Sequence, residues 1–558
     1  MGATVRRSIR WSAGARAGTD AAGFAERSAP DAAGARPGLP VGRAAAGMAL
    51  ATAISRLFGS ARVLVVAAVL GTTYLGNTFQ ASNAVSNVLF ELLAAGALSA
   101  VLVPTFVELF GRDDDRGAEE VAGGLLGLAL VGLGVVAVAG VVFAPQLARL
   151  LTTAVQDPEI AARQQELATF LLRFFVPQIV LYAVGAISTA VLNAKGVFSL
   201  PAAAPIGNTV VLLVALGVFR IMAGPDPELS LTTAEKLVLG VGGTLGVAAF
   251  VGVPAMALAA SGFRFRLRVR AALTDDRVRR LVGRSAWAAL QHAGAALLLA
   301  AAIVVGGGEP GGVVAYQVAY VVFLTPYGVL AQPIHTTVLP LMAGEASRGD
   351  MAGMARSLRW ALESMALVTA PVSAGFVVLS LPVMSVLAFG QANTPEGIEL
   401  LAAAFAALGV GLFPYGAFLL LSRAWYSLGD ARTPALAALA SSLVGVAVMV
   451  LVGSTLQGPA RLAALGLGHS VAFLAGTLWL AMRLRPVLGP IVAPGLRRAL
   501  VLSAPVGALS WAAIELWQPA GRIETVLALV AVTLAGAALY ALAVHRTGGL
   551  PSAPARAG

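Results

Sequence analysis

Residues Tyr182 to Pro201 read YAVGAISTAVLNAKGVFSLP, and residues Tyr415 to Pro434 read YGAFLLLSRAWYSLGDARTP. The two stretches align without a gap at the tyrosine, at Gly196 and Gly429, and at the closing proline. Each reads as the end of one apolar helix, a tight glycine turn and the start of the next, since glycine accepts the left-handed backbone and proline is tolerated in a first helical turn. Pro104 and Pro340 recur at nearly the same spacing. This repeat predicts two bundles of six helices in the same orientation, related by an axis along the membrane normal. Secondary transporters with such parallel repeats hold a central cavity between their lobes and expose it to each side in turn.

The composition around these stretches fits that reading. Of 558 residues 58% are hydrophobic and only 12% charged, and the mean hydropathy is +0.84. Soluble chains carry about 25% charged residues, so the body of this one is expected in a bilayer. Apolar runs long enough to span it, about 20 residues each, fall at 45–70, 77–110, 119–146, 167–194, 200–222, 236–261, 284–306, 313–342, 357–388, 398–427, 433–456, 462–483, 496–517 and 523–545. The predicted fold is therefore all-α, with about fourteen transmembrane helices: an N-lobe over 44–262, a cytoplasmic amphipathic linker over 263–283, a C-lobe over 284–485, and two further helices over 486–546. Residues 1–43 and 547–558 read as cytoplasmic tails, the first disordered and basic and without a signal-peptide pattern.

Charge sets the expected orientation. The net charge is +11, and Lys195 and Lys236 are the only lysines. On a soluble chain such a balance would suggest nucleic acid; here the arginines fix topology and face anionic membrane lipids. One alternating set of loops carries the N-terminal tail, Arg112 and Arg116, Lys195, the 264–280 segment, Arg348 and Arg356, Arg432, Arg483 to Arg498, and Arg546. The other carries Arg149, Arg163, Lys236, Arg461 and Arg522. The bias predicts a multi-pass membrane protein with both termini in the cytoplasm.

Soluble-type enzymology finds little support. There are no cysteines, and His292, His335, His469 and His545 stand singly, so no catalytic set and no metal motif is expected. The informative residues are polar ones inside the spans. Arg56, next to Ser55, and Arg62 lie in the first span, about 9 Å apart along a helix and about 120° around it; they either line a cavity or snorkel to the headgroups. In the second span Asn77, Gln80, Asn83, Asn87 and Glu91 recur at three- and four-residue steps on one face, which suits a hydrated cavity or helix-to-helix hydrogen bonds. Glu91 is the natural ion-pair partner for Arg56 or Arg62. Gln332 and His335 make a similar pair in the eighth span. Arg173 and Arg423 lie near span ends and read as snorkelling side chains.

Five blocks carry a family resemblance: SRLFGSAR (Ser55 to Arg62), GALSAVLVPTF (Gly96 to Phe106), PYGVL (Pro326 to Leu330), TTVLP (Thr336 to Pro340) and WYSLGDARTP (Trp425 to Pro434). In this order they resemble the MurJ/MviN family, over roughly 44–485. The resemblance implies a fourteen-helix fold of the MOP superfamily that moves undecaprenyl-linked peptidoglycan precursor, lipid II, from the inner to the outer leaflet, with Arg56 and Arg62 on the substrate diphosphate. The chain departs from the family pattern at Asn77, where an acid is common, at Ser86, where a proline precedes the asparagine, at Phe90 and Glu91, where an arginine pair stands, and at Ala95, where a glutamate precedes the glycine. The family's cavity arginine in the eighth span maps near Val321. These forms resemble the divergent branch of high-GC Gram-positive bacteria.

The first functional expectation is thus a lipid II flippase binding a lipid-linked anion, for which guanidinium offers a bidentate match. No cofactor is expected; the drive would come from the membrane potential or a cation. The alternatives are a flippase for another polyprenyl-linked glycan and a cation-coupled multidrug exporter of the same superfamily. A cationic drug would want buried acids, and Glu91 stands against two arginines. A non-transporting scaffold is a third class, but it has no need of a repeat with a central polar face.

Overall fold

The computed structural model describes residues 41–92, 96–266, 276–491 and 494–551. The expected tail falls outside these residues up to position 40, as do 552–558 and residues 267–275 of the linker. Among the described residues the chain is all helical, with short turns.

The N-lobe comprises α1 (Val41–Leu70), α2 (Tyr74–Phe90), α3 (Gly96–Gly111), α4 (Asp115–Val142), α5 (Ala144–Leu151), α6 (Pro158–Phe175), α7 (Gln178–Ala194), α8 (Ser199–Ala223) and α9 (Thr233–Ala260). The C-lobe comprises α10 (Asp276–Gly306), α11 (Gly312–Pro326), α12 (Gln332–Ser347), α13 (Met351–Val378), α14 (Ser380–Leu387), α15 (Pro395–Gly409), α16 (Leu412–Ser427), α17 (Arg432–Leu451) and α18 (Gly458–Leu488). The last two helices, α19 (Pro494–Trp517) and α20 (Arg522–Arg546), follow, and α19 packs along α13. Among the described residues eleven helical stretches are long and apolar enough to cross a membrane, and the bent pair α15–α16 makes a twelfth. The first two expected spans correspond to α1 and to α2–α3, whose described apolar stretches, Leu57–Leu70 and Leu102–Gly111, are shorter.

The repeat extends further than the quoted stretches. Gly196 and Gly429 both adopt the left-handed backbone, with φ of 78° and 79°. Asp114 caps α4 by accepting from Gly117 N at 2.8 Å, and Asp350 caps α13 by accepting from Gly353 N at 2.7 Å. Asp157 and Thr394 cap α6 and α15, each ahead of a proline at the first helical position. Such caps satisfy amide groups that a helix start leaves without partners, and the lobes place them at matching points.

Several spans are broken where the sequence suggested one run. α15 and α16 meet at 44°. Pro414 has no N–H to donate, and Ser470 of α18 serves the loosened turn, its hydroxyl donating to Ala407 O at 2.8 Å. Between α11 and α12, directly after Pro326, the backbone widens into a π-turn over Tyr327–Ala331. α10 starts at Asp276 rather than at 284, because nothing between Asp276 and Val282 stops a helix and the leading aspartate suits its N-terminus. The preceding Arg264 and Arg266 are held on α4: Glu119 accepts from Arg264 N at 3.1 Å and pairs with Arg266 at 3.0 Å.

The packing is that of a protein in lipid. Val131, Val135, Val138 and Val142 form an exposed stripe on α4, each more than half exposed, which only a hydrocarbon surround makes favourable. Phe79, Leu171, Phe175 and Phe219 close one core of the N-lobe. A larger core runs through the C-lobe and takes in Val63 and Ala67 of α1, so α1 packs against both lobes.

Candidate functional site

The site forms where the lobes meet. α1 and α8 of the N-lobe and α10 and α11 of the C-lobe surround α2, leaving a cavity of about 130 Å³ lined by Arg62, Gln80, Asn83, Asn87, Gln317 and Tyr320, with Val63, Val66, Ala84, Leu212, Leu299 and Val321 as its apolar wall. The helical period of α2 brings Gln80, Asn83 and Asn87 to this one face. Arg62 reaches it from α1 and lies beside Tyr182, whose ring rests on Phe90 and Phe250 at centroid distances of 5.4 and 6.4 Å. Gln80 is 5% exposed, and its amide nitrogen is buried without an acceptor. A donor left so is unfavourable by about 1–3 kcal/mol, and it points to a ligand that accepts. Among the described lining residues there is no carboxylate; Glu91 is not one of them but stands near Tyr320.

The other expected site residues lie elsewhere. Asn77 shares the stripe of Gln80 and Asn87 but is used up one turn away: its Nδ2 donates to Glu309 O at 2.7 Å and its Oδ1 accepts from Val313 N at 2.9 Å. Glu91 is half-buried, near His292 and Tyr320, and among the described residues it makes no ion pair with Arg62. His335 is fully buried in the C-lobe between Tyr327 and Met365, with its ring nitrogens 3.4 Å from the tyrosine oxygen and the sulfur. Neither it nor Gln332 lines the cavity. Ser55 is buried in α1. Arg56 lies on that helix, but its side chain falls outside the described residues. Val321, where the resemblance places a cavity arginine, is on the wall as an apolar residue.

One end of the interface is shut by a clasp. Glu309, in the GGGEPGG loop between α10 and α11, gives its carbonyl to Asn77, and its carboxylate accepts from Gly458 N at 2.8 Å. The same carboxylate lies 3.7 Å from Arg461, whose side chain is 4% exposed and whose Nε donates to Leu456 O at 2.8 Å. Gly311, at φ 73°, lies directly on the Thr72 backbone, where any Cβ would collide, and Gly308 lies equally close to Ala154 O and the Arg461 guanidinium. The glycines are thus needed for the lobes to touch here.

Sequence reasoning passed over Gln317, Tyr320, Tyr182, Glu309 and Arg461. The first two form an i,i+3 pair in YQVAY, Tyr316 to Tyr320, a signal that was there to read. Arg461 was sorted with loop charges, although the apolar run LAALGLG that follows it marks a buried helix start. Among the described residues no group of three or more histidines and acids converges as a metal site.

Comparisons with known proteins agree with this architecture. The family model described as Lipid II flippase MurJ matches residues 66–534. The lipid II flippase MurJ of Burkholderia cenocepacia is 26% identical over 518 residues, 88% of this chain and 94% of the relative. The probable lipid II flippase MurJ of Rickettsia prowazekii is 22% identical over 412 residues, 74% and 78% of the two chains. Among solved structures, a lipid II flippase MurJ in an inward closed conformation superposes with a TM-score of 0.71 at 19% identity, covering 90% of this chain and 98% of that one. An inward-facing multidrug resistance MATE transporter of the MOP superfamily follows at 0.61 and 15%, covering 78% and 95%. The fold is therefore that of the MOP superfamily, and the chain belongs to the MurJ family of lipid II flippases, which are transporters and not enzymes.

Proposed function

We propose that this chain carries lipid II across the membrane by alternating access, with the diphosphate held between Arg62 and the amide face of Gln80, Asn83 and Asn87. The observation that carries the reading is the cavity wall: a guanidinium and four amides, those of Gln80, Asn83, Asn87 and Gln317, with the Gln80 nitrogen buried and unpartnered and no carboxylate among the described lining residues. Such a wall suits an anion, because guanidinium pairs bidentately with phosphate oxygens and amide N–H groups complete the shell. It is unsuited to a cationic drug, which separates this reading from the exporters that share the fold. Arg56, about 9 Å earlier on α1, would meet the headgroup first if the N-terminus is cytoplasmic, and the charge bias of the loops supports that orientation.

At about 130 Å³ the cavity is smaller than ordinary ligand pockets of roughly 300–1,000 Å³. It has room for a diphosphate and none for the attached sugars and peptide. The lobes must therefore part for the headgroup to enter, and the clasp at Glu309 must open for it to leave on that side. The test is lipid selectivity in purified protein. Lipid II and undecaprenyl diphosphate should compete for one site and lose affinity together in Arg62→Ala, while a cationic amphiphile of similar chain length should not compete. Competition by the cationic amphiphile, undiminished in Arg62→Ala, would sink the assignment.

A further inference from the structure

A second basic site lies apart from the central cavity. α5, α6 and α9 enclose an open groove of about 320 Å³ lined by Pro145, Arg149, Gln165, Glu166, Thr169, Phe170, Arg173 and Lys236. It lies towards the bundle end that carries the clasp: α5 ends at Leu151, whose carbonyl lies against Gly307, and Lys236 is in the first turns of α9. Three cations face one acid. Lys236 is taken, its Nζ lying 2.6 Å from Glu166. Arg149 and Arg173 are exposed and, among the described residues, meet no carboxylate.

We propose that this groove binds the phosphate of an anionic membrane phospholipid. The helical period of α6 sets Gln165, Glu166, Thr169, Phe170 and Arg173 on one face, and α5 adds Arg149 from the opposite wall. α5 is held down by Ala144 and Ala148, which are buried against Ala168, Leu172 and Val176, so its arginine is presented outward. Two guanidinium groups that, among the described residues, meet no carboxylate match the oxygens of a phosphodiester, and Thr169 adds a hydroxyl at the groove wall. Apolar surface adjoins the charges: Phe143, just before α5, and Leu150 on it are each 55% exposed and continue the lipid-facing stripe of α4. A soluble anion would find the charges but leave those side chains unused, whereas a phospholipid uses both, its phosphate between the arginines and its acyl chains along Phe143 and Leu150. The site is separate from the cavity that holds the proposed substrate, and this inference stands whether or not that substrate reading holds.

The experiment uses the full-length protein in detergent, stripped of lipid, and measures thermal stability on adding phosphatidylglycerol, phosphatidylcholine or inorganic phosphate. Phosphatidylglycerol should raise the melting temperature above the phosphatidylcholine response, and the Arg149→Ala/Arg173→Ala double variant should lose that headgroup-specific increment while keeping the phosphatidylcholine response. Arg173→Gln alone should lose part of it. Arg483→Ala/Arg485→Ala, two exposed arginines on α18, should keep it in full. The proposal is overturned if the Arg149→Ala/Arg173→Ala protein retains the whole increment, if Arg483→Ala/Arg485→Ala removes it equally, or if inorganic phosphate alone reproduces it through the same two arginines.

Discussion

Two arginines enclosed between the lobes have opposite surroundings. Arg461 at the clasp faces an acid of its own chain: Glu309 stands 3.7 Å from its Nη1, which makes no hydrogen bond, and the Leu456 carbonyl takes its Nε. Arg62 in the cavity has a phenol beside it and amides on the same wall and, among the described residues, no acid. α2 links the two regions, with Asn77 spent on the clasp and Gln80, Asn83 and Asn87 left on the cavity wall. The contrast teaches that an arginine inside a bundle is classified by what meets it. A charge paired within the chain stabilises one conformation; a charge left without an acid is available to a ligand.

The clasp should show the largest effect on stability. Removing one partner of a buried ion pair leaves the other charge stranded, which is unfavourable by about 3–5 kcal/mol. Arg461→Ala is expected to lower the melting temperature of the purified protein more than any cavity substitution, and Arg461→Ala with Glu309→Gln together should recover part of the loss. If Arg461→Ala melts like the parent, the clasp is not what holds this end shut.

Asn77→Ala comes next. It removes two hydrogen bonds and leaves Glu309 O and Val313 N without their side-chain partner, at about 1–3 kcal/mol. Asn77→Asp should sharpen the comparison further: it keeps the acceptor for Val313 N but loses the donor to Glu309 O and brings a second acid to the clasp. A melting temperature for Asn77→Ala equal to that of Asn87→Ala would erase the distinction drawn along α2.

The smallest effect is expected at Asp430, in the second copy of the repeat turn. Burial pushes its carboxyl up, but hydrogen bonds from Thr433 and Arg432 outweigh this and hold it below the usual carboxylate range. A carboxyl with a lowered folded-state pKa stabilises fully above its unfolded pKa, and that contribution is lost as pH falls through the folded value. Asp430→Ala should therefore destabilise by about 0.5–1 kcal/mol near neutrality and by less in acid. Asp430→Asn, which can still accept from the Arg432 and Thr433 amides, should flatten the acid part of the stability profile. An unchanged acid limb in Asp430→Asn would show that this turn carries no proton linkage.

Much of the fold was legible because periodicity and turn chemistry are local. The fourteen apolar runs, the paired glycines Gly196 and Gly429 and the two-lobe repeat all follow from patterns within twenty residues or so. The recurrence of the caps at Asp114 and Asp350 was equally local but went unread. The site was only partly legible. The stripe read from Asn77 to Glu91 holds Gln80, Asn83 and Asn87, which line the cavity, and Asn77 and Glu91, which do not, because periodicity does not say what lies opposite each turn of it. Asn77 meets a loop 232 residues further on, while Glu91 looks towards His292 rather than Arg62. His335 looked like a site residue by its chemistry, yet the widened backbone after Pro326 buries it among Tyr327 and Met365. Glu309 and Arg461 find each other only once α18 of the C-lobe packs beside the loop between α10 and α11, and no local pattern encodes that contact.

The central claim is that Arg62 is kept for a ligand and not for the fold. Its most direct test is complementation of a flippase-depleted bacterial strain with Arg62→Ala, Arg62→Lys and the parent, at matched membrane abundance and with melting temperatures measured in parallel. The account predicts that Arg62→Ala melts at or above the parent temperature, since it removes an enclosed charge, yet fails to complement, while Arg62→Lys complements in part because a compact ammonium lacks the bidentate fork. Full complementation by Arg62→Ala, or a failure explained entirely by lost stability, would contradict it.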